Sequence, residues 1–318
     1  MQTRNVKELI FILMISGMLA VFSSSVFASG REGVFLERHQ TLTHEGMKRG
    51  YEIRVPAGLD RGGKRVPLVL VLHGGGGNGA NAEKMTGFTE KAVREKFIVV
   101  YPEGTGRLGK LLTWNAGHCC GYAMEKKADD VGFINALLDK LVADYPVDPK
   151  RVYVTGLSNG GMMTHRLGIE LSHRIAAIAP VVAALFGDEQ MPSRPVSAVM
   201  INGMLDKSVP HLGGAPGGRF TDAWEGTPVR PAPAQADFWA AANGCKSSPD
   251  RQERGAIVLS QYRCPAGRDV ALYLVKDNGH AWPGGKPGSR RGDKPSESLN
   301  ATDVIWEFFK AHVNPSTE

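Results

Sequence analysis

Val152-Tyr153-Val154-Thr155-Gly156-Leu157-Ser158-Asn159-Gly160-Gly161 decides the fold. Four residues of β-branched and aromatic character run into Gly-x-Ser-x-Gly, and a segment of helical period from Asn159 to Glu170 follows at once. A strand that turns directly into a helix brings two backbones too close for side chains, which explains the flanking glycines. It also lifts the serine hydroxyl above the end of a sheet. The motif alone is no more than a glycine-rich turn. With a strand before it and a helix after it, Ser158 is the candidate nucleophile.

Outward from this point the pattern repeats. Strands are expected at Val66 to Leu72, Phe97 to Tyr101, Arg151 to Thr155, Ile175 to Val182, Val196 to Ile201 and Asp269 to Val275. Helical periods separate them. Asn81 to Lys96 places Met85, Phe88 and Ala92 on one face, and Val131, Ile134, Leu138 and Leu141 recur after Asp129 and Asp130, which read as capping residues. Alternating strands and helices imply an α/β fold with a mostly parallel central sheet and helices on both faces. Val304 to Ala311 reads as a terminal helix. Pro210 to Ala236 is rich in glycine and proline and reads as a long loop or cap.

A serine hydroxyl needs a base, and the base needs a carboxylate to fix its tautomer. Asp206 follows the Val196 to Ile201 strand and His280 follows the Asp269 to Val275 strand, both at strand ends where such sheets hold their ligands. The order serine, acid, histidine selects them over Asp188, Asp222 and Asp237 and over His165, His173, His211 and His312. His73-Gly74-Gly75-Gly76-Gly77 ends the Val66 to Leu72 strand, where backbone amides are needed for a developing oxyanion. Gly74 and Gly75, with the Asn159 amide, are the candidate donors, and the glycine that donates stays open. Trp114 and Trp282 stand in loops beside these motifs as candidate substrate contacts, with Trp224 behind them.

The first 28 residues carry Arg4 and Lys7, an apolar run from Leu9 to Val21, and small residues up to Ala28, the pattern of a secretory signal cleaved near that point. The run is too short to span a bilayer, so no membrane partner is expected. Residues 29–318 are read as one domain. The net charge of +6 becomes +5 without Arg4, Lys7 and Glu8, and no basic block argues for nucleic acid. Four cysteines bound for an oxidising compartment favour pairing over metal binding. Cys245 and Cys264 are the expected disulfide; for Cys119 and Cys120 a vicinal bond, other partners and free thiols all stay open. No cofactor, metal or obligate protein partner is expected.

Together, His73 to Gly77, Tyr101-Pro102-Glu103-Gly104, Trp114-Asn115 with Cys119-Cys120-Gly121, Asp129 to Phe133, Gly156 to Gly161 and Gly279 to Gly285 resemble bacterial polyhydroxybutyrate depolymerases and feruloyl esterases. These are related to carbohydrate esterase family 1, in the α/β-hydrolase superfamily. The resemblance implies a metal-free acyl-enzyme route through Ser158, Asp206 and His280. The partner it implies is a small or oligomeric ester, with a feruloyl-type acyl group or a short hydroxyalkanoate. One departure is Asn202, where the family's acid motif has histidine. The chain stops soon after its terminal helix, which favours a soluble ester over a crystalline polymer. Acetylxylan esterase, a serine peptidase on the same fold and a noncatalytic secreted binding protein are the competing expectations.

Overall fold

Hydrophobic alternation builds the sheet. In the strand Val66–Leu72 every residue is buried, with Leu68, Leu70 and Leu72 facing one core and Val69 and Val71 the other. Successive side chains of a strand point to opposite faces, so a run with no polar member requires cover on both sides. The computed structural model describes residues 35–59, 63–218, 221–290 and 292–315; the signal-like segment and its expected cleavage at Ala28 lie outside them.

The strands are β1 (Phe35–His44), β2 (Met47–Pro56), β3 (Val66–Leu72), β4 (Ile98–Pro102), β5 (Val147–Leu157), β6 (Ala177–Val181), β7 (Ser197–Gly203), β8 (Asp250–Arg254), β9 (Ile257–Gln261) and β10 (Val270–Val275). They form a ten-stranded sheet in the order β1-β2-β4-β3-β5-β6-β7-β10-β9-β8. From β4 across to β10 every pairing is parallel, and antiparallel hairpins close the two edges. The helices are α1 (Gly79–Thr86), α2 (Phe88–Glu95), α3 (Gly121–Glu125), α4 (Asp130–Asp144), α5 (Asn159–Glu170), α6 (Ala232–Asn243) and α7 (Ala301–Lys310). Phe133 and Leu137 of α4, Met163 and Leu167 of α5 and Trp239 of α6 fill one core. Met85 of α1, Phe88 of α2 and Trp306 and Phe309 of α7 fill the other. This is the mostly parallel α/β sheet with two covered faces that the periodicity implies. No helix among the described residues is long and apolar enough to cross a membrane.

Three expectations change. The helix read from Asn81 to Lys96 is two, because Gly87 takes φ 68° and ends α1 in a left-handed cap that starts α2 at a new angle. The loop read as reaching Ala236 ends earlier, since Pro231 caps α6 and the helix runs from Ala232. Of the two acids read as caps, Asp129 caps α4 by accepting from the Gly132 amide at 2.9 Å, whereas Asp130 is buried in an ion pair with Arg49 at 2.7 Å. Arg49 is buried as well, its guanidinium 4.1 Å from the Phe133 ring centroid, so this pair belongs to the core.

Cys245 and Cys264 form a disulfide between the end of α6 and the end of the β8–β9 hairpin, and Cys119 is joined to Cys120. His165 of α5 lies in the core, where its Nε2 donates to Gln235 Oε1 at 2.7 Å and its Nδ1 accepts from Trp239 Nε1 at 3.0 Å. Both nitrogens are spoken for by the neutral ring, and burial lowers its pKa to about 4. A histidine whose folded pKa lies below its unfolded value stabilises the fold fully above about pH 6.5. That contribution is lost as pH falls toward 4, at about 1.4 kcal/mol per pH unit. Urea unfolding at pH 7 and pH 4.5 should therefore show a loss of stability that shrinks by about 2 to 3 kcal/mol in His165→Gln.

Candidate active site

Ser158 stands between β5 and α5 with φ 56° and ψ −122°, a conformation that non-glycine residues adopt only where their surroundings enforce it. The enforcement is visible. The Ser158 amide donates to Val181 O of β6 at 2.9 Å, and the first turn of α5 presses on the end of β3. A Cβ on Gly156 would lie 2.5 Å from Gly160 O, and one on Gly160 would lie 2.6 Å from Leu72 O, so both positions exclude any side chain. The two glycines of the motif thus set the angle at which the serine is presented.

Two loops bring partners to it. His280 Nε2 lies 2.8 Å from Ser158 Oγ, and His280 Nδ1 lies 2.8 Å from Asp206 Oδ2. A carboxylate only accepts, so Nδ1 carries the proton and donates to Asp206. The Nε2 lone pair therefore faces the serine hydroxyl, which donates to it. The Asp206 side chain is wholly buried, and its other oxygen accepts from the Ser208 and Val209 amides at 2.8 and 2.9 Å. The His280 backbone is held in turn. Its amide donates to Asp293 Oδ2 at 2.6 Å, while buried Asn278 bonds the carbonyls of Gly279 and Ala281 and accepts from Ser296. Asp293 thus holds the backbone of His280 in place.

The glycine run lies directly against the serine. A Cβ on Gly74 would meet Ser158 Cβ at 3.6 Å, and one on Gly75 would meet Asn159 Cβ at 3.7 Å. Gly76 and Gly77 spend their amides on Leu112 O and Gly74 O, so Gly74 and Gly75 stay the two candidate donors of the run. Asn159 begins α5, so its amide is among those with no acceptor inside the helix. His73 braces the run: its Nδ1 donates to Gly74 O at 2.8 Å and its Nε2 accepts from the Gly104 amide at 2.9 Å. Burial lowers its pKa to about 4, which keeps the ring neutral and this tautomer fixed near neutral pH.

The Asn159 side chain carries a second task. Its Oδ1 accepts from the Trp114 amide at 2.7 Å, its Nδ2 donates to Trp114 O at 2.9 Å, and Cys119 Sγ lies 3.7 Å from Nδ2. One residue therefore joins the elbow to the Trp114–Cys120 loop. Asn202, which departs from the family's histidine, is buried and donates to Ala183 O at 2.9 Å, holding the segment after β6.

Two expected substrate contacts are corrected. Trp114 and Trp282 are both fully buried. The Trp114 indole donates to His73 O at 3.0 Å, and the Trp282 indole donates to Thr302 Oγ1 at 3.0 Å while its ring packs edge-on to Phe88. Each is large and apolar with a polar tip that finds an internal partner, so the core claims both. The rival acids and bases are also placed. Asp237 accepts from the Tyr262 hydroxyl, and His312 bonds Asp269 and Phe308 O. Asp188 bonds His118 Nε2 at 2.8 Å, and Glu225 holds the other nitrogen of that ring at 2.7 Å. The Asp188 bond, then that of Glu225, raises the His118 pKa above its ordinary value, against an opposing effect of burial.

Comparison with known proteins bears on this arrangement. Feruloyl esterase B of Piromyces equi is 30% identical over 244 residues, covering 74% of this chain and 43% of its own length. The putative esterase NocK of Nocardia uniformis subsp. tsuyamanensis is 29% identical over 253 residues, 76% of this chain and 72% of that protein. This chain thus spans less than half of the first relative and most of the second. The acetyl xylan esterase from Aspergillus awamori superposes with a TM-score of 0.60 at 14% identity, covering 86% of this chain and 99% of that one, a likeness of fold. Residues 49–212, half of the chain and the stretch that holds the glycine run, the elbow and Asp206, match the family described as Esterase PHB depolymerase. The chain belongs to that family of carboxylic ester hydrolases and has its α/β-hydrolase fold.

Proposed function

We propose that this protein is a secreted serine ester hydrolase working through an acyl-enzyme, with Ser158 as nucleophile, His280 as proton carrier and Asp206 as its orienting acid. The observation that carries this reading is the unbroken relay from Ser158 Oγ through His280 to Asp206, each bond 2.8 Å, with the serine held at a left-handed elbow. Ser158 Oγ attacks the ester carbonyl as its proton passes to His280 Nε2, and the new imidazolium is stabilised by Asp206. The carbonyl oxygen becomes an oxyanion, for which the amides of Asn159 and of Gly74 or Gly75 are the donors. As the tetrahedral intermediate collapses, the bond to the alcohol breaks and His280 returns its proton to the leaving oxygen. Water then repeats the sequence on the acyl-enzyme and releases the acid with Ser158 restored.

We infer feruloyl-type esters or short hydroxyalkanoate esters as its substrates, in line with a family described as Esterase PHB depolymerase and a relative named feruloyl esterase B. The paired cysteines and the signal-like first 28 residues support an oxidising compartment. The test is hydrolysis of methyl ferulate, para-nitrophenyl acetate and hydroxybutyrate oligomers by the purified protein, with a fluorophosphonate probe to label the nucleophile. Turnover of at least one ester, abolished when the probe attaches at Ser158, is the expected result. Silence on every ester with no labelling would leave a noncatalytic binding protein, and faster cleavage of peptide amides would make it a peptidase.

A further inference from the structure

Gly106-Arg107-Leu108-Gly109-Lys110-Leu111 forms the tip of a loop that stands against the glycine run. The base of the loop is closed by paired bonds between Thr105 and Thr113, at 2.8 and 2.9 Å from amide to carbonyl, and Leu112 O accepts from the Gly76 amide at 2.8 Å. Two tight turns fold the tip itself: the Gly109 amide donates to Gly106 O and the Lys110 amide to Arg107 O. The Leu111 side chain lies 3.9 Å from where a Cβ on Gly76 would stand. The tip therefore has a fixed place, beside the run that holds Gly74 and Gly75.

This ordered tip exposes apolar surface. Leu108 is 98% exposed and Leu111 73%. Both take left-handed backbone, with φ 52° and 50°, where a leucine is strained and a glycine is at ease. Burial offsets neither cost, and strain of this kind gathers at ligand clamps and functional loops. Cations surround the two leucines. Arg107 and Lys110 are exposed, the Arg107 guanidinium lies 5.8 Å from the centroid of the Tyr122 ring on α3, and Lys126 Nζ lies 5.9 Å from the same centroid. Among the described residues, Glu125 is the one acid that pairs with these cations, at 3.9 Å from Arg107.

We propose that this tip is a docking surface for an anionic lipid interface, with Leu108 and Leu111 entering the apolar layer and Arg107, Lys110 and Lys126 at the level of the headgroups. Two exposed leucines ringed by three cations complement a surface that is apolar beneath and negative at its edge. The mode differs from a bilayer span, which the Leu9 to Val21 run is too short to make, because here the folded chain lies on the surface. It goes beyond the ester-hydrolase reading and stands without it. Since the loop rests on Gly76, docking also holds the glycine run close to the interface.

Co-sedimentation with lipid vesicles tests the assignment. Vesicles of phosphatidylcholine with about one third phosphatidylglycerol should bind the protein more tightly than phosphatidylcholine alone, by about tenfold or more, and added salt should shrink the difference. Leu108→Ser should weaken binding several-fold and Lys110→Glu about tenfold, both with an unmoved urea midpoint, because these side chains stand in solvent. The Leu9 to Val21 run is the same in every variant, so a difference between variants reports the loop. Leu108→Trp adds a local readout: anionic vesicles should shift its emission to the blue by more than any shift in the wild type. Equal binding to neutral and anionic vesicles, or binding that neither Leu108→Ser nor Lys110→Glu alters, would overturn the proposal. So would a wild-type protein that ignores both kinds of vesicle; if Leu108→Ser then dissolved a dimer, the tip would be an interface between copies of this chain.

Discussion

Ser158→Ala is expected to lower kcat/KM for the preferred ester by about a million-fold, leaving only the rate that binding and backbone donors supply without a nucleophile. The size follows from the geometry. Ser158 Oγ and His280 Nε2 are 2.8 Å apart, so serine and histidine act as one unit and neither has a function without the other. His280→Ala should therefore cost nearly as much by itself, and Ser158→Ala combined with His280→Ala little more than either. Stopped-flow or long-duration assays of the three variants against one ester would check this. Losses that multiply would show that the two residues act independently and would remove the relay. The substitution takes only a hydroxyl from the elbow, so the urea midpoint should stay where it is or rise slightly, because a strained functional position is being relieved of its chemistry and not of its packing.

Asp206→Asn should cost about 10⁴-fold in kcat with the fold intact. The reason lies in the backbone around it. The Ser208 and Val209 amides both donate to Oδ1 of Asp206, so an asparagine there must place its oxygen toward those amides and its NH₂ toward His280. His280 Nδ1 would then have to accept, which moves the ring proton to Nε2, where it faces Ser158 and cannot take up another. The imidazole would sit in the same place with the wrong tautomer. A kcat that falls by less than about tenfold would mean that another carboxylate orients His280. Raising the pH should recover part of the activity of Asp206→Asn, since a small population of hydroxide-assisted turnover grows with pH while the native enzyme levels off.

The parts of the site that are adjacent to strong local patterns were legible in the sequence. The elbow is written in ten consecutive residues, and the helix expected from Asn159 to Glu170 has those bounds in the structure. Asp206 and His280 follow buried apolar strands whose ends are easy to find, so chain order alone brings them beside Ser158. The surroundings of the expected substrate contacts were not legible. Trp114 and Trp282 lie close in sequence to the motifs, and nearness in sequence was mistaken for exposure. Their indole N–H groups find partners in His73 O and Thr302, contacts that span 41 and 20 residues and leave no local trace. Trp224 stands in a region without period, and its loop is placed by the bridge to Cys119 and by the bonds of Glu225 to His118, more than 100 residues away. His73 and Asn159 were read for their backbones. Their side chains act through pairings with Gly104 and Trp114 that a single sequence does not display. The β1–β2 hairpin and α6 were missed for a simpler reason: the first lies on a sheet edge with mixed polarity, and the second begins inside a stretch rich in proline.

Asn159 ties together pieces of chain that a protein engineer would want to exchange separately. Its amide opens α5 directly after Ser158 while its side chain clamps Trp114 and touches Cys119, 45 and 40 residues earlier in the chain. Transplanting the 114–120 loop from a relative to alter acyl preference would therefore disturb the serine turn unless the donor loop offers the same amide and carbonyl to Asn159. Libraries that vary residue 159 and that loop together should yield active hybrids at a higher frequency than libraries that vary the loop alone.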